Sequence, residues 1–425
     1  MKEKTRKEII WQDQERAGTN HLDLTGVMAL FMSPLLFPLA ALLSTFLTIR
    51  IGLLHYRTMG RFYGNTEYFL RLRKMCPPLN REAVFLIAGG MPVNRQILTM
   101  VGRQVPVIKS EKLWKVLDSL RRARPDSPLW LDLGCTGWLR GAEWTVPGPQ
   151  LNFTTEEHAR GQALIRHLGV PEGARHVCLF AKDRFYTDSP ATKLDPDSYW
   201  GSRDFRNCSI RNYLPAADYL ATQGIYVLRM GIHRPEELLP GNVSPRIIDY
   251  TGVIRPTLDD PDFADAYLQA TCKFFLGTTS GIYILSSMFG VPVAYANMIP
   301  YGECGRMPHD IVIFKKCRNR ATGHFIPFPQ MIARGVDADW LTLEELMKLD
   351  QEGIEFVENT GDEILALASE MNMRLDGKWK TAPEDGKLLK QAQNVFTARA
   401  FDGSGFTGRI GAEFLRDNKE LLAQA

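Results

Sequence analysis

The sequence predicts an α/β fold in which parallel strands alternate with helices in two successive series. Short apolar runs that end in glycine or polar residues alternate with segments of helical period. Polar and charged residues follow several of these runs, at the strand ends where open parallel sheets bind ligands. A stretch rich in Pro, Gly and Trp, residues 124–149, has no clear period and separates the two series. The 425 residues, 45% hydrophobic and 23% charged, suffice for about two or three globular domains.

The first series contains three predicted strands. They are Thr45–Gly52, Ala83–Ala88 and Gln104–Ile108. The predicted helices are one that Asn65 caps and that runs to Leu72, one over Asn94–Val101 and one over Glu111–Arg122. This series predicts a Rossmann-like domain over residues 45–150.

The second series begins with a helix over Thr155–Leu168, which has two glutamates in its first turn. Its predicted strands are Val177–Ala181, Ile225–Gly231, Arg246–Tyr250, Lys273–Gly277 and Val291–Ala296. Its predicted helices are Ile210–Gln223, Phe263–Thr271 and one after Gly281, with two or three more after Leu341, the last over Ile410–Leu422. We expect a second Rossmann-like domain over residues 151–380 and C-terminal helices over 381–425.

The segment from Leu24 to Ile49 has no charged residue and is long enough to span a membrane, which takes about 20 apolar residues. Pro34 and Pro38 would bend a helix there. Basic residues flank the segment on both sides, which favours both ends on the cytoplasmic side. A re-entrant or interfacial helix within residues 1–44 satisfies both facts. A single span and a buried core helix stay open as alternatives.

The strongest local signal is the stretch Lys273-Phe-Phe-Leu-Gly277-Thr278-Thr279-Ser280-Gly281, followed by a segment of helical pattern. It predicts a strand, a tight turn and the N-terminus of a helix, which attracts phosphate. The three hydroxyl residues are expected to cap the helix and to donate hydrogen bonds to phosphate oxygens. The alternative is that they only cap a structural helix.

Other polar groups follow the predicted strands of the second series, where a ligand crevice is expected. The runs are Lys182-Asp183-Arg184, Arg203-Asp204-Phe-Arg206-Asn207, Arg229-Met-Gly231 with His233 and Arg234, and Asp249-Tyr250. Arginine guanidinium groups suit a diphosphate because they are always charged and can bind two oxygens. For any one of these side chains, a surface ion pair is the alternative.

Composition limits the ligands and metals that the chain is expected to bind. The net charge of +3 is too small to indicate nucleic acid. The seven cysteines are scattered without a Cys-x-x-Cys pair, so we expect a reducing compartment and no zinc site. Asp260-Pro-Asp262 has the spacing of a metal-binding motif but precedes a predicted helix, where carboxylates act as caps. We therefore predict no metal and no cofactor.

Four runs of the sequence, taken in order, resemble a family of bacterial glycosyltransferases associated with surface-polysaccharide gene sets. They are Asp204-Phe-Arg206-Asn207 with Ile210 and Tyr213, Val227-x-Arg229-Met-Gly231, Ile248-Asp249-Tyr250, and Phe274-Phe-Leu-Gly277-x-x-Ser280-Gly281. Ile49-Arg-Ile-Gly52, Gly60-Arg61 and Asn65-x-Glu67 in the first series also resemble that family. The segment from Gly277 to Pro292 is similar to the donor-binding unit of heptosyltransferase-like enzymes of the GT-B fold.

The resemblance implies a GT-B glycosyltransferase at the cytoplasmic face of the bacterial inner membrane. It would move a sugar from a nucleotide-diphosphate sugar to a lipid-linked glycan. The implied donor-binding residues are Arg206, Asn207, Arg211, Arg229, Gly231, Asp249, Gly277, Thr278, Thr279, Ser280, Gly281 and Asn297. Arg61 and Asn65 are the implied acceptor-binding residues, and Glu67 and Asp183 are the candidates for the general base of an inverting mechanism.

Other classes of protein stay open. The architecture alone also allows a sugar epimerase or a dehydrogenase. Ser33-Pro34 in a bent apolar helix resembles the re-entrant helix of monotopic phosphoglycosyl transferases, but no Asp-Glu pair precedes Leu343. A non-catalytic scaffold that binds nucleotide sugar or glycan is the third alternative.

Overall fold

A computed structural model describes residues 48–133, 146–183, 205–231, 244–302, 307–337, 341–396 and 408–423. The chain divides into two compact units, Met1–Glu157 and His158–Ala425. The membrane-associated helix predicted within residues 1–44 lies outside the described residues. Within those ranges, no helix is both long and apolar enough to cross a bilayer.

The N-terminal unit contains a four-stranded parallel sheet with the order β3-β2-β1-β4. Its strands are β1 (Ile49–Leu53), β2 (Ala83–Ala88), β3 (Val107–Lys109) and β4 (Trp130–Leu131). Its helices are α1 (Met59–Met75), α2 (Pro77–Arg81), α3 (Arg95–Gly102) and α4 (Glu111–Ala123), and α5 (Thr155–His167) begins at its end. Leu117 and Leu120 of α4 pack on Leu53 and Ile87 of the sheet and form one core cluster.

Helix α1 starts earlier than the sequence predicts. Thr58, in extended conformation, is the residue before its first turn, so Asn65 lies inside the helix and the prediction that Asn65 caps it is wrong. The aromatic residues Phe62, Tyr63 and Phe69 are buried along the helix and extend its packed face beyond the predicted start. The next two helices lie close to their predicted ranges, and Asn94 and Ser110 cap them by accepting hydrogen bonds from the first turns of α3 and α4.

The C-terminal unit contains a seven-stranded parallel sheet with the order β14-β10-β9-β8-β5-β6-β7. Its strands are β5 (His176–Phe180), β6 (Tyr226–Arg229), β7 (Ile247–Ile248), β8 (Phe275–Gly277), β9 (Val293–Met298), β10 (Ile311–Phe314) and β14 (Arg409–Ile410). Its helices are α6 (Leu214–Thr222), α7 (Pro261–Thr271), α8 (Tyr283–Met288), α9 (Phe328–Ala333), α10 (Leu343–Gln351), α11 (Gly361–Leu375), α12 (Asp385–Phe396) and α13 (Ala412–Asp417). The central strands β8 and β9 are completely buried.

Several features of this unit were not predicted, and strand β10 of the parallel sheet is one of them. A second, antiparallel sheet has the order β12-β11-β13, with strands β11 (Lys316–Asn319), β12 (Phe325–Ile326) and β13 (Ile354–Val357). The predicted last helix over Ile410–Leu422 is wrong at its start, because Ile410 belongs to β14 and pairs with Val312 of β10. Burial of Ile410 at the sheet edge outweighs the local helical pattern.

Candidate functional site

The strand order of the larger sheet places a ligand crevice between β5 and β8. The chain runs outwards from β5 through β6 to β7, then returns to β8 on the other side of β5 and continues to β9 and β10. The order therefore reverses between β5 and β8, and open parallel sheets bind ligands at the carboxyl ends of the strands beside such a reversal. The loops that leave β5 and β8 there contain Lys182, Asp183 and the turn Thr278–Gly281.

The turn after β8 is packed tightly against its neighbours. A Cβ on Gly277 would lie 2.9 Å from the carbonyl oxygen of Phe180 at the end of β5, so only glycine fits without movement. The hydroxyl of Thr278 donates to the carbonyl of Asn297 (3.4 Å), and that of Ser280 donates to the carbonyl of Thr278 (3.3 Å). Helix α8 begins only at Tyr283 and has no side-chain cap. The prediction that these hydroxyls cap the helix is therefore wrong, because they bond to the backbone of the turn and of β9.

Residues Phe205–Tyr213, which we call the bridging segment, connect the ends of several strands. Lys182, after β5, donates from Nζ to Oδ1 of Asn207 (2.6 Å), and Lys315, after β10, donates from Nζ to the carbonyl oxygen of Asn207 (2.6 Å). The Cys208 N–H donates to the carbonyl of Lys182 (2.8 Å). The predicted donor residues Arg206 and Asn207 are thus brought to the carboxyl edge of the sheet, and the Arg206 side chain is buried there.

The far end of the bridging segment is fixed to β9. Asn297, in the left-handed region with a φ of 56°, donates from Nδ2 to the hydroxyl of Tyr213 (3.2 Å). Its backbone N–H donates to Oδ1 of Asn359 (2.6 Å), and the N–H of Asn359 donates to Oδ1 of Asn297 (2.7 Å). Asn297 has no exposed surface. The structure places this predicted donor residue in an interior network that supports the end of β9.

Glu358, after β13, holds the middle of the bridging segment. Its Oε2 accepts hydrogen bonds from the N–H of Ser209 (2.9 Å) and from Nδ2 of Asn212 (3.0 Å). The neighbouring predicted residue Arg211 is exposed, and its backbone N–H bonds to the Ser209 hydroxyl. Arg206 and Arg211 therefore differ in burial although they lie five residues apart.

Arg229 and Asp249 lie side by side where β6 and β7 end. Their side chains are 3.8 Å apart and are 7% and 14% exposed. Asp249 also accepts from the N–H of Gly252 (3.1 Å), which starts a π-helical turn over Tyr250–Ile254. Gly231 is buried after β6 with a φ of 141°, which strongly favours glycine. All three predicted residues thus lie at the same edge as the turn after β8.

The sequence did not identify Lys315 and Glu358, because both follow strands that were not predicted. Lys182 was named only as part of the run Lys182-Asp183-Arg184, among the polar groups expected at the crevice. Burial lowers the pKa of Lys315, and electrostatic interaction with Cys208 and Glu358 only partly offsets this effect. A lysine directly after an apolar run, as in Ile311-Val-Ile-Phe-Lys315, is the signal that would have identified Lys315.

In the N-terminal unit, Glu67 of α1 is completely buried and pairs with Arg71, whose Nε lies 2.8 Å from Glu67 Oε1. The N–H of Gln150 donates to the same oxygen (2.8 Å), whereas Oε2 has no hydrogen-bond partner within the described part of the chain. Burial raises the pKa of Glu67 to about 7, and Arg71 limits the rise. The side-chain amide of Asn65, 2% exposed, has no hydrogen-bond partner among residues that the structure describes.

Arg61 lies half-buried in the first turn of α1, beside the loop that follows β1. Burial, with the charges of Arg61 and Arg121, lowers the pKa of His55 in this loop to about 4. The imidazole is therefore neutral at pH 7. The two predicted acceptor residues, Arg61 and Asn65, thus differ in burial although both belong to α1.

The acidic run before α7 has a structural use. Asp260 accepts from the N–H of Phe263 (3.3 Å) and caps α7, and it pairs with Arg160 (2.9 Å). Among the described residues, no group of three or more His, Cys, Asp or Glu side chains is arranged to hold a metal ion.

Solved structures with a similar chain path are bacterial glycosyltransferases. A glycosyl transferase family 9 protein from Veillonella parvula is 11% identical, with 72% of this chain and 97% of that chain covered and a TM-score of 0.37. The ADP-heptose LPS heptosyltransferase II of E. coli is 13% identical, with 58% and 84% covered and a TM-score of 0.36. The dodecameric iron-containing heptosyltransferase TibC, solved with ADP-D-beta-D-heptose, is 13% identical, with 77% and 78% covered and a TM-score of 0.37.

No protein-family model and no curated protein matches the sequence. The structural similarities above are too low to assign the chain to a family.

Proposed function

We propose that the chain is a glycosyltransferase of GT-B type that transfers a sugar from a nucleotide-diphosphate sugar. One observation carries the proposal: four cationic side chains that are at least nine-tenths buried converge on the carboxyl edge of the seven-stranded sheet. They are Lys182, Arg206, Arg229 and Lys315. Cationic side chains form charge-assisted hydrogen bonds with phosphate oxygens, and a diphosphate is the anion that a donor sugar would bring to this edge.

The C-terminal unit would hold the donor. Arg206 and the turn Gly277–Gly281 would contact the diphosphate, and Asp249 would accept from hydroxyls of the ribose or sugar. Positive side chains would then stabilise the leaving group without a metal ion. The tight contact at Gly277 keeps the backbone of the turn close to the crevice.

The N-terminal unit would hold the acceptor, for which we retain the lipid-linked glycan at the cytoplasmic membrane face. The amide of Asn65 and the guanidinium of Arg61 are available for hydroxyl or phosphate groups. Glu67, with a pKa of about 7, has the basicity that a general base needs at neutral pH. Asp183, half-buried after β5, is the second candidate.

A panel of nucleotide-diphosphate sugars, assayed for release of nucleoside diphosphate by the purified chain, tests the proposal. Arg206→Met should weaken donor binding by roughly tenfold to a hundredfold, the value of one charge-assisted hydrogen bond. Arg246→Met, on an exposed side chain that directly precedes β7, is the control and should bind as the wild type does. If Glu67→Gln abolishes the release of nucleoside diphosphate and Asp183→Asn preserves it, Glu67 is the general base. The reverse result would identify Asp183 as the base.

Binding without release of product would favour the non-catalytic scaffold. If no nucleotide sugar binds, the proposal of a donor site at this edge of the sheet is wrong. Thermal melts of each variant are needed, because Arg206 is buried and its loss also changes packing.

A further inference from the structure

Lys182 and Lys315 approach Asn207 from different strands of the larger sheet. Each ammonium lies 2.6 Å from an oxygen of Asn207, one from Oδ1 and one from the backbone carbonyl. Since both oxygens belong to one residue, the two ammonium groups lie within about 10 Å of each other. They are 7% and 3% exposed. Two like charges are thus buried close together at the carboxyl edge.

Lys315 differs from two other lysines of this unit, Lys273 and Lys316, whose ammonium groups pair with carboxylates. Lys273 lies 2.7 Å from Asp376, and Lys316 lies 2.7 Å from Glu363. Lys315 has no carboxylate within 4 Å among the described residues, and its ammonium donates a hydrogen bond to the neutral carbonyl of Asn207. Glu358 is the carboxylate that interacts electrostatically with Lys315. It already accepts hydrogen bonds from a backbone N–H and a side-chain amide of the bridging segment.

We propose that Lys315 is a positioning residue of the donor site, which fixes the bridging segment through Asn207 and, with Lys182, supplies buried positive charge for a diphosphate. This inference rests on the proposed function. Lys315 acts on the ligand through Asn207 and through its charge, without contact to the reacting atoms. The bridging segment connects it directly to Arg206, the neighbour of Asn207.

The ionisation of Lys315 gives the proposal a pH signature. The groups that face its ammonium are Asn207 and Cys208 of the bridging segment and Glu358 after β13. Burial lowers its pKa, so the ammonium loses its proton at a lower pH than an exposed lysine does. A bound anion favours the charged form, so binding takes up a proton when the free protein has lost it. Affinity for the anion should therefore fall as the pH rises.

The test is calorimetric binding of inorganic pyrophosphate, without added metal, at pH 7.5 and 9.5. Lys315→Met should weaken binding by about tenfold at pH 7.5, as expected for a charge several ångströms away in a partly buried site. Wild-type affinity should fall further than that of Lys315→Met between the two pH values. Lys315→Arg, which stays charged, should keep its affinity at pH 9.5. Titration of pyrophosphate itself affects all variants alike.

Lys273→Met is the matched control, because it removes another buried lysine of the same unit whose charge is paired with Asp376. It should bind pyrophosphate like the wild type. Lys315→Met should melt at or above the wild-type temperature, since replacing an uncompensated buried charge by an apolar group is neutral or stabilising. If Lys315→Met does not fold, the pH comparison of wild type with Lys315→Arg decides.

The outcomes separate the two proposals. No binding of pyrophosphate by the wild type would overturn the donor site itself. If the wild type and Lys315→Met bind pyrophosphate with the same affinity and the same pH dependence, the proposed role of Lys315 is wrong, whereas the proposed donor site stands.

Discussion

The two units of the chain bury charge in opposite ways. In the N-terminal unit, the fully buried Glu67 and Arg71 compensate each other within one helix. In the C-terminal unit, Lys315 is equally enclosed but lacks a carboxylate within 4 Å in the described ranges. A compensated pair needs nothing from outside, whereas an uncompensated cation is stabilised by an anion that binds. We therefore expect a ligand beside Lys315, whereas the charge of Glu67 needs no ligand to offset it.

The net charges of the two units do not follow the positions of the buried cations. Residues 1–157 contain 21 Lys and Arg against 14 Asp and Glu, a net of +7, and residues 158–425 contain 30 against 34, a net of −4. The unit that is negative overall thus concentrates buried cations at one edge of its sheet. The proposed anion site rests on this local burial of cations, and the total charge of the unit gives no sign of it. The positive N-terminal unit matches the anionic surface of the membrane that we propose as its partner.

The largest effect on stability is expected when the ion pair of Glu67 and Arg71 is broken. Arg71→Met leaves Glu67 buried and unpaired, which should cost about 3–5 kcal/mol of unfolding free energy. The double variant Glu67→Leu/Arg71→Met should recover most of that loss, because no charge remains buried. Urea unfolding followed by tryptophan fluorescence measures both. A single variant that loses less than the double variant would mean that the pair is not compensated as described.

The second effect is a pH dependence of the N-terminal unit. Glu67 has a pKa of about 7 when folded, above the ordinary value of 4.5, so the folded state binds this proton more tightly. Its contribution is fully present below pH 4.5 and is lost as the pH rises through 7, about 3 kcal/mol in total. Melting of the wild type should therefore fall between pH 5 and 8, and Glu67→Gln should reduce the fall.

A remaining fall in Glu67→Gln is expected from the C-terminal unit. Burial raises the pKa of Asp265 to about 6, and Arg255 and Tyr250 limit the rise. Its contribution has the same sign as that of Glu67. Identical pH profiles for wild type and Glu67→Gln would contradict the raised pKa of Glu67.

The third effect concerns the network that supports the donor edge. Asn359→Ala removes the acceptor for the Asn297 N–H and the donor to the Phe314 carbonyl (3.0 Å), so buried backbone groups lose their partners. The expected cost is about 2 kcal/mol. Chemical denaturation is the measurement, and the exposed Gln223→Ala in the same unit is the control that should lose almost nothing.

The smallest effect on stability is expected at the turn after β8. Ser280→Ala removes one long hydrogen bond to the Thr278 carbonyl and should cost about 0.5 kcal/mol. If the turn binds the diphosphate, the same change should weaken donor binding by roughly tenfold to a hundredfold. Gly281→Val should weaken it more, because a branched side chain crowds the backbone. Calorimetry measures donor binding and a thermal melt measures stability for each variant. A strongly lowered melting temperature with normal binding would show that the turn has a structural role and does not bind the diphosphate.

Much of the fold was predictable because long apolar runs bounded by polar residues mark buried strands. The strand over Ala83–Ala88 agrees with the sequence at both ends, and the helices Arg95–Gly102 and Glu111–Ala123 begin and end within one residue of their predicted bounds. The strands of the antiparallel sheet were missed because β11 reads Lys-Cys-Arg-Asn and has no apolar run. Two-residue strands such as β14 leave no pattern in a sequence at all.

The candidate site was predictable only in part. Residues such as Arg229 and Thr278 could be identified because Arg229 ends β6 and Thr278 directly follows β8, and strand ends meet at one edge. Lys315 could not, since its role depends on contact with Asn207, which lies 108 residues earlier in the chain. The interior place of Asn297 likewise depends on Tyr213 and Asn359, which only the folded chain brings near.

The outermost position of β14 has a consequence for synthesis. Its partner β10 consists of four apolar residues, Ile311–Phe314, all without exposed surface, and the β14 residues that cover its edge are made almost a hundred positions later. A nascent chain that ends before Arg409 would leave one edge of this hydrophobic strand open. Uncovered apolar strands of this kind recruit other chains, so incomplete copies should aggregate until the ribosome has delivered β14.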